Sequence, residues 1–215
     1  LALRHPGSPA AQENLGEMIG EVDRLDRRIS HLLNFSRPAP GHPLRENATQ
    51  LVNGLLASLS KLADGRGVSL DVSLDSALPD AHMDPIQMEQ ALLEIVANAM
   101  DAMPKGGRLR LATHSDTDAH RDGTVVIEIA DSGPGIPADL LASVCEPFFT
   151  TRADGTGLGL AIAKRYVEQS GGTLAITSGA GEGTRVCIAF PALPGEDAAG
   201  RGAAHDPVAH SGRST

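Results

Sequence analysis

The chain contains few aromatic residues and few cysteines. Among its 215 residues, aromatics make up 2%, with no tryptophan and one tyrosine, so aliphatic side chains and methionine must fill the core. The two cysteines, Cys145 and Cys187, have neither the spacing of a metal site nor the number of a disulfide framework. Reduced thiols, and hence a cytoplasmic location, are therefore expected, with membrane attachment of the full-length protein left open.

Long apolar runs and excess positive charge are also lacking. No stretch approaches the roughly 18 apolar residues of a transmembrane helix, and no secretory signal peptide is evident. The formal net charge of -9 argues against a nucleic-acid-binding or anionic-membrane surface. A polyphosphate ligand would therefore need local cations or a metal ion. Because the chain begins with leucine, it is expected to be part of a longer protein.

The most informative stretch contains two glycine-rich turns. DSGPGIP at 131–137 follows an alternating run, TVVIEIA, which predicts a strand. A carboxylate at a strand end, followed by glycines, can point into a cleft while the backbone turns beneath a ligand. GTGLGL at 155–160 opens a predicted helix, whose free N–H groups suit phosphate oxygens. An acidic strand end, a mobile segment and a phosphate turn, in this order, are much stronger evidence for a phosphate-binding site than either turn alone.

A proline-rich segment divides the chain. Prolines at 38, 40 and 43 end a helix predicted over residues 10–36, and residues 39–46 are predicted to form a linker. Apolar residues in that helix recur at alternating steps of three and four, which is typical of a coiled-coil seam. The seam positions are Leu15, Met18, Val22, Leu25, Ile29 and Leu32. The pattern indicates a homodimer through this helix, the alternative being a solitary helix packed on its own domain.

Residues 47–191 predict a single α+β domain in which helices cover one face of a mixed, mostly antiparallel sheet. Helices are predicted at about 47–64, 85–103 and 158–170, and strands at about 68–74, 108–114, 124–130, 172–178 and 184–191. The expected buried faces of the first two helices are Leu51, Leu55, Leu59 and Leu62, and Met88, Leu92, Ile95, Ala99 and Met103. The polar residues Glu94, Asn98 and Asp101 lie beside the second face. Residues 192–215 lack periodicity and predict a disordered tail.

Taken in order, these segments resemble the catalytic part of a bacterial sensor histidine kinase. The matching motifs are ALLEIVANAMDAMPKGG (N box), DSGPGIP (G1 box), EPFFTTR (F box) and GTGLGLAI (G2 box). LNFSRP, AMPKGG and EPFFTTR are most similar to the nitrogen-regulator type. The resemblance implies the GHKL, or Bergerat, α/β sandwich shared with gyrase, Hsp90 and MutL, with ATP and Mg²⁺ as ligands. It also implies that residues 1–38 hold the second helix of a dimerisation and phosphotransfer hairpin.

The resemblance assigns roles to individual residues. Asp131 would accept a hydrogen bond from the adenine 6-amino group, which selects ATP because guanine presents a carbonyl there. Asn98 would hold Mg²⁺ through its amide oxygen, and Lys105 and Arg152 would be phosphate cations. Further cofactor contacts are expected from Asp101, Gly133, Gly135, Ile136, Phe149, Thr150, Thr151, Gly155, Thr156, Gly157, Leu158, Gly159, Leu160 and Thr184. Phe148 and Phe149 would anchor a lid over about residues 137–156.

The sequence departs from the family pattern at three places. Glu94 stands where the N box usually begins with asparagine, so it is a candidate catalytic residue beside Asn98. It could act as a base that activates water, assist Mg²⁺ binding, or merely substitute. Cys145 stands where an aromatic commonly precedes EPFF. No phosphoacceptor motif is visible, because His5 and His31 are followed by proline and leucine rather than an acidic residue.

The resulting prediction is the ATP-binding core of a sensor histidine kinase. It would transfer the ATP γ-phosphoryl to a histidine on a helix expected upstream of Leu1, for relay to a response regulator receiver domain. A GHKL ATPase with Glu94 as base is one alternative. A non-catalytic dimerisation module is the other, although the two complete glycine turns argue against lost nucleotide binding.

Overall fold

The computed structural model describes residues 40–116, 123–152 and 155–194, together with five positions of an N-terminal helix. These positions are Leu15, Met18, Val22, Ile29 and Leu33. All five are helical, and their side chains are between 57% and 67% exposed. Leu25 and Leu32 of the predicted seam, and the chain beyond residue 194, lie outside the described residues.

Between residues 40 and 194, the described residues form three helices and two sheets, numbered here in chain order. The helices are α1 (Ala48–Asp64), α2 (Pro85–Ala102) and α3 (Gly159–Gln169). The strands are β1 (Leu44–Glu46), β2 (Val68–Leu74), β3 (Ala81–Met83), β4 (Gly107–Asp116), β5 (Thr124–Asp131), β6 (Thr173–Gly179) and β7 (Gly183–Pro191). In the large sheet, of order β2-β4-β5-β7-β6, only the β2–β4 pair is parallel. The predicted mixed, mostly antiparallel α+β architecture is therefore confirmed.

A second sheet pairs β1 with β3, and the sequence analysis did not predict it. Each strand has three residues, which is too short for an alternating pattern to be recognised. The linker is fixed nearby, because the His42 backbone N–H donates to Asp84 Oδ2 at 2.7 Å. The other carboxylate oxygen of Asp84 caps α2 and accepts from Ile86 N and Gln87 N at 3.0 Å. Asp84 is thus the N-cap of α2, and proline occupies the first turn of the helix.

One face of the large sheet carries the core. All five predicted core positions of α2 are at most 5% exposed. The predicted stripe of α1 is wrong at one end, since Leu62 is 37% exposed and Ala63 is buried in its place. The two possible stripes share Leu55 and Leu59, and apolar periodicity alone does not separate them. Packing decides, because the small side chain of Ala63 is the one buried in the hydrophobic core.

The predicted tail begins too early. Ala192 is 6% exposed and bridges to Ala81, and the Leu193 backbone N–H donates to Asp80 O at 2.8 Å. Arg45 also donates from Nη2 to Pro194 O at 2.9 Å. Residues 192–194 therefore close the domain against the small sheet, while the remainder of the predicted tail lies outside the described residues.

Candidate functional site

A cleft of about 440 Å³ opens between α2, the end of β5 and the segment that follows β5. Asp131 and Asn98 both line it, as do most of the other residues predicted from the sequence. The predicted residues that line the cleft are Asn98, Asp101, Asp131, Gly135, Ile136, Phe149, Thr150, Thr151, Arg152, Leu160 and Thr184. Residues far apart in the sequence thus meet in one cavity large enough for a small ligand.

Asp131 is the last residue of β5, where it lies opposite Thr184 of β7 and Leu109 of β4. Its Oδ1 accepts two backbone hydrogen bonds, from Gly133 N at 2.8 Å and Thr184 N at 3.3 Å. Within the described residues, both donors meet this same oxygen. Oδ2 consequently remains available to accept a hydrogen bond from a ligand in the cleft.

Burial raises the pKa of the Asp131 carboxyl above its ordinary value, and the backbone N–H groups of Gly133 and Thr184 oppose that rise. Because the folded-state pKa is raised, this group favours folding most when protonated, and that contribution is lost as pH rises through the raised pKa. The ionised carboxylate is therefore under-solvated at neutral pH. A ligand that brings an N–H donor to Oδ2 would relieve this cost.

The first glycine turn is held closely against the β6–β7 hairpin. Gly181 N donates to Pro134 O at 2.7 Å, and Ile136 N donates to Ser178 Oγ at 2.8 Å. Gly135 has φ 72°, and a Cβ there would overlap the carbonyl oxygen of Gly179. Glycine is needed at this position for both its backbone angle and the space.

We expect Gly135→Ala to destabilise the domain more than Gly181→Ala. Both glycines have positive φ, at 72° and 80°, but a Cβ at Gly181 meets nothing within 4 Å. Gly181→Ala should cost about 1 kcal/mol from backbone strain alone, and Gly135→Ala about 2 kcal/mol or more because its turn must also shift. Thermal or urea unfolding of the two variants measures the difference. Equal losses would show that the contact with Gly179 does not matter.

Asn98, Glu94 and the second glycine turn meet on the other side of the site. A Cβ at Gly159 would lie 2.7 Å from Glu94 Oε2 and 3.2 Å from Asn98 Nδ2. Gly159 is the first residue of α3, whose N-cap, Leu158, makes no side-chain capping hydrogen bond. The side chains of α2 thus approach a helix N-terminus, where backbone N–H groups suit an anion.

The segment between the glycine turns folds over the cleft in consecutive turns. Leu140 N donates to Pro137 O at 3.0 Å and Glu146 N to Ser143 O at 2.9 Å. Phe149 lines the cleft as predicted, but the side chain of Phe148 is 59% exposed. Phe148 instead holds the segment through its backbone, whose N–H donates to Gly157 O at 2.8 Å, with φ at 68°. The expectation that both phenylalanine side chains anchor the lid is wrong for Phe148.

Arg152 is paired with a carboxylate. Its Nη1 donates to Asp101 Oδ2 at 2.6 Å, and Arg66 Nη1 donates to Asp101 Oδ1 at 2.8 Å. Arg66 lies in the turn between α1 and β2, 35 residues before Asp101. Sequence reasoning missed Arg66, because a lone arginine in a GRG turn carries no signal of such a distant partner.

Eight predicted residues do not line the cleft. They are Glu94, Lys105, Gly133, Gly155, Thr156, Gly157, Leu158 and Gly159. Lys105 is exposed in the turn between α2 and β4, whereas Leu158 is buried in the core. Gly133 acts through Asp131, to which its N–H donates. The sequence analysis also missed the apolar wall of the cleft, which includes Ile95, Ala99, Ile129, Ile176 and Val186.

No helix in the described ranges of the chain is both long and apolar enough to cross a membrane. No three histidine, cysteine, aspartate or glutamate side chains in those ranges cluster in a way that could hold a metal ion.

Comparison with known proteins gives consistent matches. The family model of histidine kinase-, DNA gyrase B- and HSP90-like ATPases matches residues 83–194. The sensor histidine kinase ZraS of Escherichia coli O157:H7 is 35% identical over 191 residues, which cover 89% of this chain and 41% of ZraS. The chain thus spans about two fifths of the length of this curated relative.

Solved structures show the same fold. Full-length ShkA in complex with AMPPNP aligns with a TM-score of 0.71 at 23% identity, over 87% of this chain and 40% of ShkA. Histidine kinase ThkA in complex with response regulator protein TrrA aligns with a TM-score of 0.70 at 21% identity, over 89% of this chain and 55% of ThkA. Identities this low support the fold alone.

The family match covers α2, the end of β5 and the segment that follows β5, between which the cleft opens, and it also covers the second glycine turn. The chain belongs to the histidine kinase-, DNA gyrase B- and HSP90-like ATPase family, and its ATP-binding domain is of the sensor histidine kinase type.

Proposed function

We propose that this chain is the catalytic core that transfers the γ-phosphoryl group of ATP to a histidine Nε2, for relay to an aspartate of a response regulator receiver domain. The main observation in support is that Asp131 and Asn98 line the same cleft. These two residues are predicted to contact opposite ends of one nucleotide. The histidine would attack the γ-phosphorus and ADP would leave. Because the protein contributes mainly positioning and charge stabilisation, the arrangement of the cleft decides the rate.

Adenine would be read by Asp131. Its Oδ1 is already occupied by two backbone donors, so Oδ2 would accept the 6-amino N–H. The apolar wall formed by residues such as Ile95, Ile129 and Val186 suits the flat faces of a purine. Guanine would place a carbonyl against the carboxylate, which leaves two acceptors facing each other.

The residues around Asn98 fit a metal-bound triphosphate. Within the described ranges no protein group hydrogen-bonds to the Asn98 side chain, and its amide oxygen is a suitable ligand for Mg²⁺. Glu94 would assist, and its closeness to Asn98 and to the start of α3 supports this role. Bound Mg²⁺ would offset phosphate charge, which matters in a protein of formal net charge -9. The turn at 155–160 and Arg152 would supply the remaining phosphate contacts.

The partners proposed for this chain are inferred from its relatives and from its N-terminal helix. ThkA forms a complex with response regulator protein TrrA, and we extend that class of partner to this chain. The exposed apolar positions of the N-terminal helix support a homodimer through residues 10–36. A cytoplasmic location is proposed on the same grounds, since ATP and a receiver domain must reach the cleft.

Radiolabelled ATP tests the proposed reaction. Labelled with γ-³²P ATP, this chain alone should acquire no acid-labile phosphate, because neither His5 nor His31 lies in a phosphoacceptor motif. Adding a hairpin with an intact phosphoacceptor histidine, from a relative such as ZraS, should give acid-labile, base-stable label on that hairpin. Acid-labile label on this chain itself would refute the assignment of the acceptor, and no label on either would refute the kinase activity.

Glu94 supports a rival reaction, because its carboxylate lies at the N-terminus of α3, where a water beside the terminal phosphate could be activated. If the chain were an ATPase, Glu94→Gln should slow phosphate release about 100-fold or more. As a kinase core it should release phosphate slowly, and Glu94→Gln should change that release less than about threefold, because histidine is the nucleophile. Glu89→Gln, on an exposed position of the same helix, is the matched control. Absence of any Mg²⁺-dependent ATP binding at millimolar concentration would favour the non-catalytic module instead.

A further inference from the structure

We propose that Arg66 is a positioning residue for polyphosphate binding, acting through Asp101 to keep the phosphate end of the cleft from becoming negatively charged. The inference rests on the proposed function, since it concerns how the ATP triphosphate is received. Arg66 is contributed by the α1–β2 turn, which lies outside both glycine turns and outside the lid.

Asp101 presents a negative charge where a triphosphate is expected. Its side chain lines the cleft next to Arg152 and is 22% exposed. The structure gives each of its oxygens one arginine partner, Arg66 at 2.8 Å and Arg152 at 2.6 Å. With two guanidinium groups on one carboxylate, the cluster carries one net positive charge.

The two arginines differ in how their backbones are held. Arg66 lies in a tight turn, where its N–H donates to Ala63 O at 3.0 Å. That turn packs closely on the α2–β4 turn, since a Cβ at Gly106 would lie 2.5 Å from Gly67 O. Arg152 belongs to the segment that folds over the cleft and forms a local turn with Thr150. Arg66 therefore belongs to a turn packed on the body of the domain, whereas Arg152 belongs to the segment that folds over the cleft.

Because their backbones are held differently, the two arginines would have different roles when ATP binds. When Arg152 leaves Asp101 for a phosphate group, Arg66 stays on the carboxylate and neutralises it. Without Arg66, Asp101 would either repel the triphosphate or retain Arg152. Either consequence weakens binding of ATP but leaves binding of the adenine and ribose unchanged, because the adenine contact lies at Asp131.

A double-mutant cycle with two ligands tests the proposal. Arg66→Gln should lower MgATP affinity about three- to tenfold, as expected for a partly exposed ion pair next to a charged ligand. Adenosine affinity should not change, and Arg66→Lys should retain most of the ATP affinity. In an Asp101→Asn background, Arg66→Gln should change ATP affinity less than about twofold. Arg110→Gln, on an exposed position of β4, is the control for net charge.

The other possible results of this experiment have different interpretations. A loss for adenosine as large as that for ATP would indicate a structural role and overturn the inference. An undiminished loss in the Asp101→Asn background would mean that Arg66 acts on the phosphates directly, and would also overturn it. An unmodified chain that binds no ATP would refute the proposed function, whereas a chain that binds ATP equally well with Arg66→Gln would refute only this inference.

Discussion

Asp131→Asn is expected to lower ATP affinity by about 10- to 100-fold, the factor for losing a buried hydrogen bond to a charged acceptor. Asparagine has the same shape and keeps an oxygen for the Gly133 and Thr184 N–H groups that now meet Oδ1. Its amide nitrogen would then take the place of Oδ2. The introduced amide and the adenine amino group would then face each other as two donors, at the position where a carboxylate oxygen can now accept a hydrogen bond.

The same substitution should relax base selectivity. The introduced side-chain amide could donate to the guanine carbonyl, so the ratio of ATP to GTP affinity should fall even as ATP binding weakens. Calorimetric titration with both nucleotides measures this ratio. Asp71→Asn, on an exposed position of β2, controls for the lost charge. Unchanged ATP affinity, or a loss equal for both nucleotides, would rule out base reading by Asp131.

Asn98→Ala is expected to remove the dependence of ATP binding on Mg²⁺. The variant in Mg²⁺ should bind ATP no more tightly than the unmodified chain in EDTA, because the amide oxygen is the proposed protein ligand. The rate of phosphoryl transfer to an added phosphoacceptor hairpin should fall more than about 100-fold. The reason is that a bound metal ion would stabilise the charged transition state by several kcal/mol. Gln90→Ala, an amide on the same helix outside the cleft, is the control.

A different result for the Asn98→Ala variant would change the assignment of the metal ligand. If Asn98→Ala kept its Mg²⁺ response while Glu94→Gln lost it, Glu94 would be the principal ligand. Their closeness to Gly159 makes both geometrically possible. A normal Mg²⁺ response in both single variants would contradict a metal site on this face of α2.

Much of the fold was predictable because its elements carry strong local signals. The apolar face of α2 repeats along the whole helix and is bounded by Asp84 and Pro85 at one end, so both the helix and its buried side followed from the sequence. The strands β1 and β3 were not predictable, since three residues show no period. The same limit applies to Ala192, whose burial depends on pairing with Ala81, a residue far away in the chain.

The candidate site was likewise predictable from the sequence only in part. The turns with Asp131 and with Gly159 were readable because each needs particular residue types at fixed spacing. The pairing of Asp101 with Arg66 and Arg152 was not, because ion pairs between elements leave no pattern in sequence. The exposure of Phe148 was also hidden, since an apolar residue beside a motif is ordinarily expected to be buried.

The central claim is that one nucleotide contacts both Asp131 and Asn98. The most direct test is a titration of ¹⁵N-labelled protein with the non-hydrolysable analogue AMPPNP and Mg²⁺, followed by NMR. The backbone amides of Gly133 and Thr184 and the side-chain amide of Asn98 should shift together along one binding curve. Shifts at only one of these two places, or two curves with different affinities, would contradict the claim.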